Sequence, residues 1–219
     1  MPKTPGRWLI WLPIVHSQAD LGNMSERVRT LYIRRMGKTR WEQHVRAIEE
    51  MWRDVWARVE ALGLDYKRVR LYQDGLPVCG HEEPIVRDLA QAGSQNHQLL
   101  LDLMLKGAHL TGTESAALLL QEYELVRQML VAGDSPAGRE ATAARREAYA
   151  NDLLERRDRA IAQRIDRTLA QGETGLVFLG LLHSIGRFLP PDIHVERLDE
   201  QRKSRRRKVG PGPDARAGA

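Results

Sequence analysis

Leu176-Val177-Phe178-Leu179-Gly180-Leu181-Leu182-His183 is an apolar run that ends in a histidine. Its large apolar residues predict a strand buried on both faces. In open α/β sheets, the carboxyl ends of such strands carry the chemistry. A second histidine, His16, ends another apolar run over residues 8–15. The pair indicates one site built from both ends of the chain, and the alternative is two loop histidines with satisfied hydrogen bonds.

Length and composition predict one globular domain. The chain has 219 residues, of which 42% are hydrophobic and 29% are charged, and this is enough for one sizeable core. No apolar stretch approaches the length of a membrane span, and no small-residue cleavage site follows the short N-terminal apolar run. Cys79 is the only cysteine in the sequence, which excludes intramolecular disulfides and multi-cysteine metal sites. We therefore expect a cytoplasmic protein without membrane contact, with a single α/β domain over residues 1–198.

The basic charge is concentrated at the C-terminal end. Residues 199–219 hold seven basic and three acidic residues, and they contribute most of the formal net charge of +5. This segment has too few apolar groups to order itself, so we expect a disordered basic tail. Residues 201–208 could contact nucleic acid or an acidic surface by charge. Because no aromatic residues are interleaved for base stacking, a solvated extension without a partner is the preferred interpretation.

The remaining pattern predicts a helix-rich α/β fold. Apolar residues recur at three- or four-residue spacing over residues 28–62, and a long helix is expected over residues 140–170. Short strands are expected at residues 68–72 and 108–115, and residues 192–198 alternate as an edge strand does. Together these elements predict a mixed central sheet of few strands with long helices packed around it.

Three acidic residues lie where predicted strands end. Asp20 is in the polar stretch after the first strand, Asp74 follows the second, and Glu114 follows the third. Carboxylates in such positions can act as general bases or metal ligands. Asp74 belongs to an Asp-Gly pair and is equally suited to form a turn, while Glu114 could simply favour the N-terminal end of the next helix.

Arg157 interrupts the apolar stripe of the long helix. The stripe steps by fours through Tyr149, Leu153, Ile161, Ile165 and Leu169. An arginine in the gap faces inward and needs a carboxylate, phosphate or carbonyl partner, because an unpaired buried charge is very costly. The alternative is that its long side chain reaches the edge of the helix and keeps its charge in water.

The C-terminal third resembles the Tiki/TraB superfamily, which is related to the erythromycin-esterase-like and haem-binding ChaN-like proteins. Members carry a helix with an Arg-Asn pair, then a hydrophobic strand and a GxxH motif. Arg157-Asp158 stands at the position of the pair, and Gly180 and His183 form the motif. The resemblance is carried mainly by residues 145–185. Asp158 replaces the usual Asn.

The rest of the resemblance lies in the order of elements. His16 matches a histidine that ends the first strand in the family, although Pro13 stands in place of the expected glycine. Glu114 matches an acid that ends an internal strand. The resemblance implies an α/β fold in which two histidines and a glutamate converge on one cleft, and in the metallopeptidase-like members this cleft holds a divalent ion.

These observations lead to the hypothesis of a metal-dependent hydrolase. The candidate residues are His16, Glu114 and His183 as metal ligands, and Asp20, Asp74 and Arg157 as catalytic groups. Three protein ligands leave a position open for water, and mixed histidine and carboxylate ligation suits zinc, manganese or cobalt without choosing among them. One aspartate would act as the base, and the arginine would stabilise the oxyanion or bind a substrate carboxylate. The substrate would be a small molecule or a peptide, and the sequence does not choose among peptide, ester and phosphoester bonds.

The second hypothesis is a non-catalytic ligand-binding or signalling protein on the same fold. Its histidines would hold a small ligand or haem, and its basic tail could contact nucleic acid. The altered first motif, the altered Arg-Asn pair and the lack of a complete catalytic motif favour this alternative.

Overall fold

A computed structural model describes residues 6–131 and 139–198 of the chain. The strands are β1 (Arg7–Ile14), β2 (Val69–Gln73), β3 (His109–Thr111), β4 (Thr174–Gly180) and β5 (Ile193–Arg197). The helices are α1 (Ser25–Met36), α2 (Lys38–Ala61), α3 (Glu82–Gln91), α4 (Gln95–Leu105), α5 (Ala116–Val131) and α6 (Arg139–Thr168). Short 3₁₀ segments cover Gln18–Met24, Tyr66–Arg68 and Ile185–Phe188. The predicted basic tail, residues 199–219, lies outside the described residues.

The five strands form one sheet in the order β3-β2-β4-β1-β5, with every pairing parallel. The predicted helix-rich α/β fold with a central sheet of few strands is therefore confirmed, but the sheet is parallel throughout rather than mixed. β5 lies at the edge, as its alternating sequence predicts. Because the strands are parallel, their carboxyl ends meet at one edge of the sheet.

Both faces of the sheet are buried, which explains why β1 and β4 are almost continuously apolar. On β1, alternate side chains belong to two separate cores, because successive residues of a strand point to opposite faces. One core packs against Trp52 of α2 and Leu99 of α4. The other packs against Ile161 and Ile165 of α6.

Gly175 allows β4 to pack closely at the centre of the sheet. A Cβ atom at this position would lie 2.7 Å from Cδ1 of Leu9 and 3.2 Å from Cε2 of Tyr72. Both side chains belong to the α6-facing core. A larger residue at position 175 would therefore displace the side chains of Leu9 and Tyr72.

The elements differ from the sequence prediction in two places near the site, and in the first β3 covers only His109–Thr111 of the strand expected at residues 108–115. In the second, the sequence predicts a loop over residues 17–24, whereas the chain forms a 3₁₀ segment that begins after Ser17. The backbone N–H of Ser17 donates to Oδ2 of Asp20 at 2.6 Å, and its hydroxyl donates to the same atom at 2.9 Å. These two bonds hold Ser17 against Asp20 in the first turn of the 3₁₀ segment that follows β1. In the part of the chain that the structure describes, no helix is both long and apolar enough to cross a membrane.

Candidate functional site

The predicted site residues gather at the carboxyl edge of the sheet. His16 follows β1, Asp74 follows β2, Glu114 follows β3, and His183 follows β4. The loops after β2 and β3 run side by side, since the backbone N–H of Val78 donates to the carbonyl of Glu114 at 2.9 Å. This parallel course brings the two loop carboxylates to the same side of the site.

Arg157 is the centre of a buried carboxylate cluster. Its Nε donates to Oε2 of Glu114 at 2.7 Å, and its Nη2 donates to Oε1 of Glu114 at 2.7 Å and to Oδ1 of Asp74 at 2.8 Å. Its Nη1 also bonds to Glu122. The Arg157 side chain is only 4% exposed. The prediction of an inward-facing arginine is thus confirmed, its partners are the carboxylates among the predicted types, and the alternative in which it reaches solvent is wrong.

The charges of this cluster support one another. Burial alone would lower the pKa of Arg157, but hydrogen bonding to Glu114 and the charges of Glu114, Asp74 and Glu122 outweigh it, so the pKa is raised. Burial raises the pKa of Glu114, and the guanidinium opposes this shift. The guanidinium therefore supplies the positive charge that lets several carboxylates share a small buried volume.

Asp74 joins the arginine cluster to both histidines. While its Oδ1 binds Arg157, its Oδ2 lies 3.2 Å from Nε2 of His16 and 3.5 Å from Nε2 of His183. The backbone N–H of Gly180 also donates to Oδ2 at 2.8 Å. Burial would raise the pKa of Asp74, but the hydrogen bonds and charges of the two histidines hold it well below its usual range. Asp74 is accordingly an anion at neutral pH.

His16 is more accessible than Asp74 and His183. Its side chain is 37% exposed, whereas that of its partner Asp74 is 6% exposed. Burial lowers the pKa of His16, but the hydrogen bond and charge of Asp74, with the charges of Asp20 and Glu122, outweigh this effect and raise it above 6.5. The arrangement is a carboxylate-oriented imidazole with one edge open to the cleft.

His183 is held from both sides by carboxylates. Its Nδ1 lies 2.6 Å from Oδ1 of Asp158, and the second oxygen of Asp158 accepts from the backbone N–H of Ser184 at 2.8 Å. Burial lowers the pKa of His183 and Arg157 lowers it further, but Asp158 and Asp74 raise it, and the result is a pKa of about 9. His183 is therefore an imidazolium at neutral pH.

Gly180 leaves room where these groups meet. A Cβ atom at position 180 would lie 3.0 Å from Oδ2 of Asp74, 3.7 Å from Cδ2 of His183 and 3.9 Å from Nε2 of His16. The absence of a side chain therefore permits the close approach of the carboxylate and both rings.

Asp20 belongs to a neighbouring buried cluster. Its Oδ1 accepts from the hydroxyl of Ser94 and lies 3.3 Å from Nδ1 of His97, and its Oδ2 is bound by Ser17. The Ser94 hydroxyl lies 2.7 Å from the same ring nitrogen of His97 and also accepts from the backbone N–H of His97 at the start of α4. Since Ser94 is fully buried, this serine, histidine and aspartate fasten the segment after His16 to α4 and offer no accessible nucleophile.

The predicted metal ligands do not form a metal-binding set. Both oxygens of Glu114 accept hydrogen bonds from Arg157, and Oε1 also accepts from the backbone N–H of Gly75 at 2.7 Å. Among the side chains that the structure describes, no three histidine, cysteine or acidic groups are placed to hold an ion. The donor set of His16, Glu114 and His183 thus does not fit a metal in this arrangement.

Most of the predicted site residues surround a cleft of about 550 Å³. Five of the six predicted residues line it, and Glu114 lies beneath it as a partner of Arg157. The cleft wall also includes exposed Leu181 and Leu182, from the turn that precedes His183. The volume falls within the range of small-molecule sites in proteins. The lining residues from the predicted set are His16, Asp20, Asp74, Arg157 and His183.

Some members of the site are not predictable as such from the sequence. Asp158 stands out there only as a departure from a family motif, although it binds His183. The sequence favours a solvated Glu122, and its side chain is 40% exposed yet bonds to Arg157. The break in helical pattern at residues 92–96 is a usable signal for Ser94 as a helix cap. No sequence signal links Ser94 or His97 to Asp20.

Comparisons with known proteins give no further identification. No protein-family model matches the chain, and neither the curated proteins nor the solved structures searched include a match.

Proposed function

We propose that this protein is a hydrolase in which His16, oriented by Asp74, activates water to attack a neutral ester or amide. The 3.2 Å contact between Nε2 of His16 and Oδ2 of Asp74 carries the proposal. The carboxylate is buried and fixed by three other groups, while the imidazole reaches the cleft. A fixed acid behind an accessible histidine is the arrangement that general-base catalysis requires.

The proton transfers follow from this pair. With Nε2–H of His16 donating to Asp74, Nδ1 carries the free lone pair and takes a proton from water. The water oxygen bonds to the substrate carbonyl carbon, and the carbonyl electrons move onto its oxygen. The imidazolium of His16 then returns the proton to the leaving alcohol or amine as the bond to it breaks. Asp74 keeps the ring oriented and stabilises its charged form throughout.

His183 and Arg157 contribute through their charges. Both N–H groups of protonated His183 face carboxylates, and four of the five N–H bonds of Arg157 are already used. His183 therefore has no free donor and Arg157 keeps a single free N–H, so the two groups do not form a direct oxyanion hole with paired donors. Each is a fixed positive charge in the wall of a partly enclosed cleft, where such charges act more strongly than in water.

The charge balance favours neutral substrates. Among the described residues around Arg157 and His183, four carboxylates stand against these two cations: Asp74, Glu114, Glu122 and Asp158. A phosphoester would bring further negative charge toward them, and like charges at this range repel. Of the predicted substrate classes, esters and amides therefore suit the site better than phosphoesters.

Three inferences from the sequence remain predictions. Metal dependence follows from the resemblance to the Tiki/TraB superfamily, and the hydrogen bonds of Glu114 favour the metal-free route instead. A cytoplasmic location and a contact between residues 201–208 and nucleic acid rest on composition alone. The resemblance rests on the helix that carries Arg157 and the motif that ends in His183, and the proposal draws support from the meeting of these two elements at one cleft.

The test is hydrolysis of a panel of neutral esters and amides by the purified full chain. His16→Gln and Asp74→Asn should each lower kcat by about 10²-fold or more, the usual contribution of a general base. His81→Gln, at an exposed loop histidine, is the matched control and should keep full activity. Undiminished turnover by His16→Gln would overturn the proposal.

Elemental analysis and chelator treatment separate the two routes. The proposal predicts no stoichiometric metal and full activity after chelation. Stoichiometric metal that is lost in His16→Gln and His183→Gln, together with activity lost on chelation, would overturn the metal-free route and restore the metal hypothesis.

A non-catalytic ligand-binding role is the second candidate. The internal pairing of Arg157 and Asp74 within their cluster favours it, because a purely structural cluster satisfies its own charges. This role predicts that small neutral molecules bind in the cleft and are never turned over. Haem, as one such ligand, would give a visible absorption band.

A further inference from the structure

A second cavity adjoins the cleft at His16. It has a volume of about 300 Å³ and lies between α1, α2, the segment after β1 and the turn before α4. We call it the aromatic pocket. Its walls include Val28 and Tyr32 of α1, Trp41, His44, Val45 and Ile48 of α2, and Gly93 and Gln95 near α4. Of the described residues, His16 alone lines both cavities.

The aromatic side of the pocket is already assembled. The rings of Tyr32 and His44 stack with centroids 5.3 Å apart and an interplanar angle of 18°. The ring of Trp41 meets Tyr32 edge to face, also at 5.3 Å. Rings held in this way present a fixed apolar wall, and little conformational entropy remains to be lost when a ligand binds.

The lining favours an uncharged apolar occupant. Val28, Val45 and Ile48 add aliphatic surface to the rings. Glu49 also lines the pocket, but it is an exposed residue whose charge is screened by solvent. A dry cavity of about 150 Å³ holds a benzene molecule. A pocket of this size therefore accommodates a phenyl ring together with a short alkyl linker.

We infer that the aromatic pocket receives a phenylalkyl or similarly apolar acyl group of the substrate, while the scissile carbonyl lies beside His16 in the cleft. This inference rests on the proposed function for the reacting bond. It narrows the substrate class to neutral esters or amides of apolar, aryl-bearing carboxylic acids. The position of His16 between the two cavities is what couples the apolar group to the reacting carbonyl.

Binding provides a test that does not need turnover. The probe is 3-phenylpropanamide, with acetamide as the probe that lacks the ring, and affinity is measured by calorimetry on the full chain. In Val28→Phe, the new side chain occupies the space intended for the ring of the ligand. Because the phenyl group of 3-phenylpropanamide can then no longer be buried, its binding should weaken by about tenfold or more. Val195→Phe, at an exposed position on β5, is the matched control and should leave affinity unchanged.

Turnover then tests the link to the reaction. The wild type should hydrolyse ethyl 3-phenylpropanoate with a kcat/KM at least about tenfold above that of ethyl acetate, and Val28→Phe should remove this preference. His16→Gln should abolish hydrolysis but still bind 3-phenylpropanamide. Binding and hydrolysis therefore fail separately. If the wild type binds 3-phenylpropanamide but hydrolyses no ester, only the proposed function is overturned.

Two outcomes would overturn the pocket itself. One is equal affinity of the wild type and Val28→Phe for 3-phenylpropanamide, with both proteins folded by circular dichroism. The other is equal affinity of the wild type for 3-phenylpropanamide and acetamide. Val45→Phe, which lines the same pocket from α2, provides a second variant in case Val28→Phe fails to fold.

Discussion

Oδ1 of Asp74 accepts a hydrogen bond from Nη2 of Arg157 at 2.8 Å, and both side chains are almost completely buried. The bond joins the end of β2 to the middle of α6. The other oxygen of Asp74 faces both histidines. The position of His16 therefore depends on α6, through Arg157 and Asp74. The stability of the fold and the geometry of the site therefore share one ion pair.

Arg157→Met should strongly destabilise the protein. It leaves Glu114 and Asp74 buried without their cation, and breaking a buried ion pair in this way costs about 3–5 kcal/mol. Urea denaturation at pH 7 measures the loss. Arg156→Met is the matched control, because Arg156 is exposed and pairs only loosely with Asp152 at 3.7 Å, so the cost should stay below about 1 kcal/mol. Equal stability of the two variants would contradict the buried cluster.

The protonation of His183 should make stability fall as pH rises. Its pKa is about 9 in the folded protein and 6.5 as an ordinary histidine, so the folded state binds the extra proton between these values. The contribution is complete below pH 6.5 and is lost as pH rises through about 9. The shift corresponds to about 3 kcal/mol. Urea denaturation of the wild type and His183→Gln from pH 6 to 10 should show this decline only in the wild type.

Hydrolysis should require neutral His16. Asp74 raises the pKa of His16 above 6.5, so kcat/KM should increase with pH through a midpoint above this value. Activity should fall again near pH 9 as His183 loses its positive charge. The pH profile of His183→Gln should keep the rising limb and lose the falling one. A profile that is flat between pH 5 and 8 would exclude His16 as the base.

Gly180→Ala should impair activity more than stability. Its Cβ would lie 3.0 Å from Oδ2 of Asp74, so the carboxylate would have to shift away from His16 by a few tenths of an ångström. Since a misplacement of about 1 Å can cost about 10²-fold, we expect a decrease of about tenfold in kcat/KM. Gly186→Ala is the control, because a Cβ at position 186 meets nothing within 4 Å.

Ser94→Ala should loosen the segment that follows His16. The substitution removes the hydroxyl that binds Asp20 and caps α4, and the loss of such a cap costs about 0.5–2 kcal/mol. We expect a lower free energy of unfolding by urea denaturation and a modest loss of kcat/KM. Ser184→Ala is the control, since Ser184 makes no side-chain cap bond at its 3₁₀ segment. Unchanged stability of Ser94→Ala would remove the anchoring role of this cluster.

The edge of the sheet was predictable because strand ends obey a simple rule. Apolar runs identified the strands that precede His16 and His183, and parallel pairing places the residues after each of these strands at one edge. The inward position of Arg157 was equally predictable from the four-residue step of its helix. The cost of an unpaired buried charge then required a carboxylate, phosphate or carbonyl partner near it.

The identity of the partners was not predictable in this way. Helical spacing places Arg157 inside, but it does not choose Glu114, Asp74 and Glu122 from the many acids of the chain. Asp158 lies next to Arg157 in sequence, and only the packing of α6 against the turn after β4 directs it toward His183. Tertiary contacts between distant segments decide these pairings, and local pattern does not encode them.

The pairing of β1 with β4 runs from Trp8–Thr174 to Ile14–Gly180. The first strand therefore pairs with a strand that lies more than 160 residues later in the sequence. During synthesis, a nascent chain that stops before residue 174 has made His16 and Asp74 but has no β4 to bring Gly180 and His183 to them. Its apolar first strand also lacks a neighbour on either side, since both β4 and β5 are still missing. Nearly the whole domain must therefore leave the ribosome before these four residues can meet, and until then the apolar β1 has no neighbouring strand to cover it.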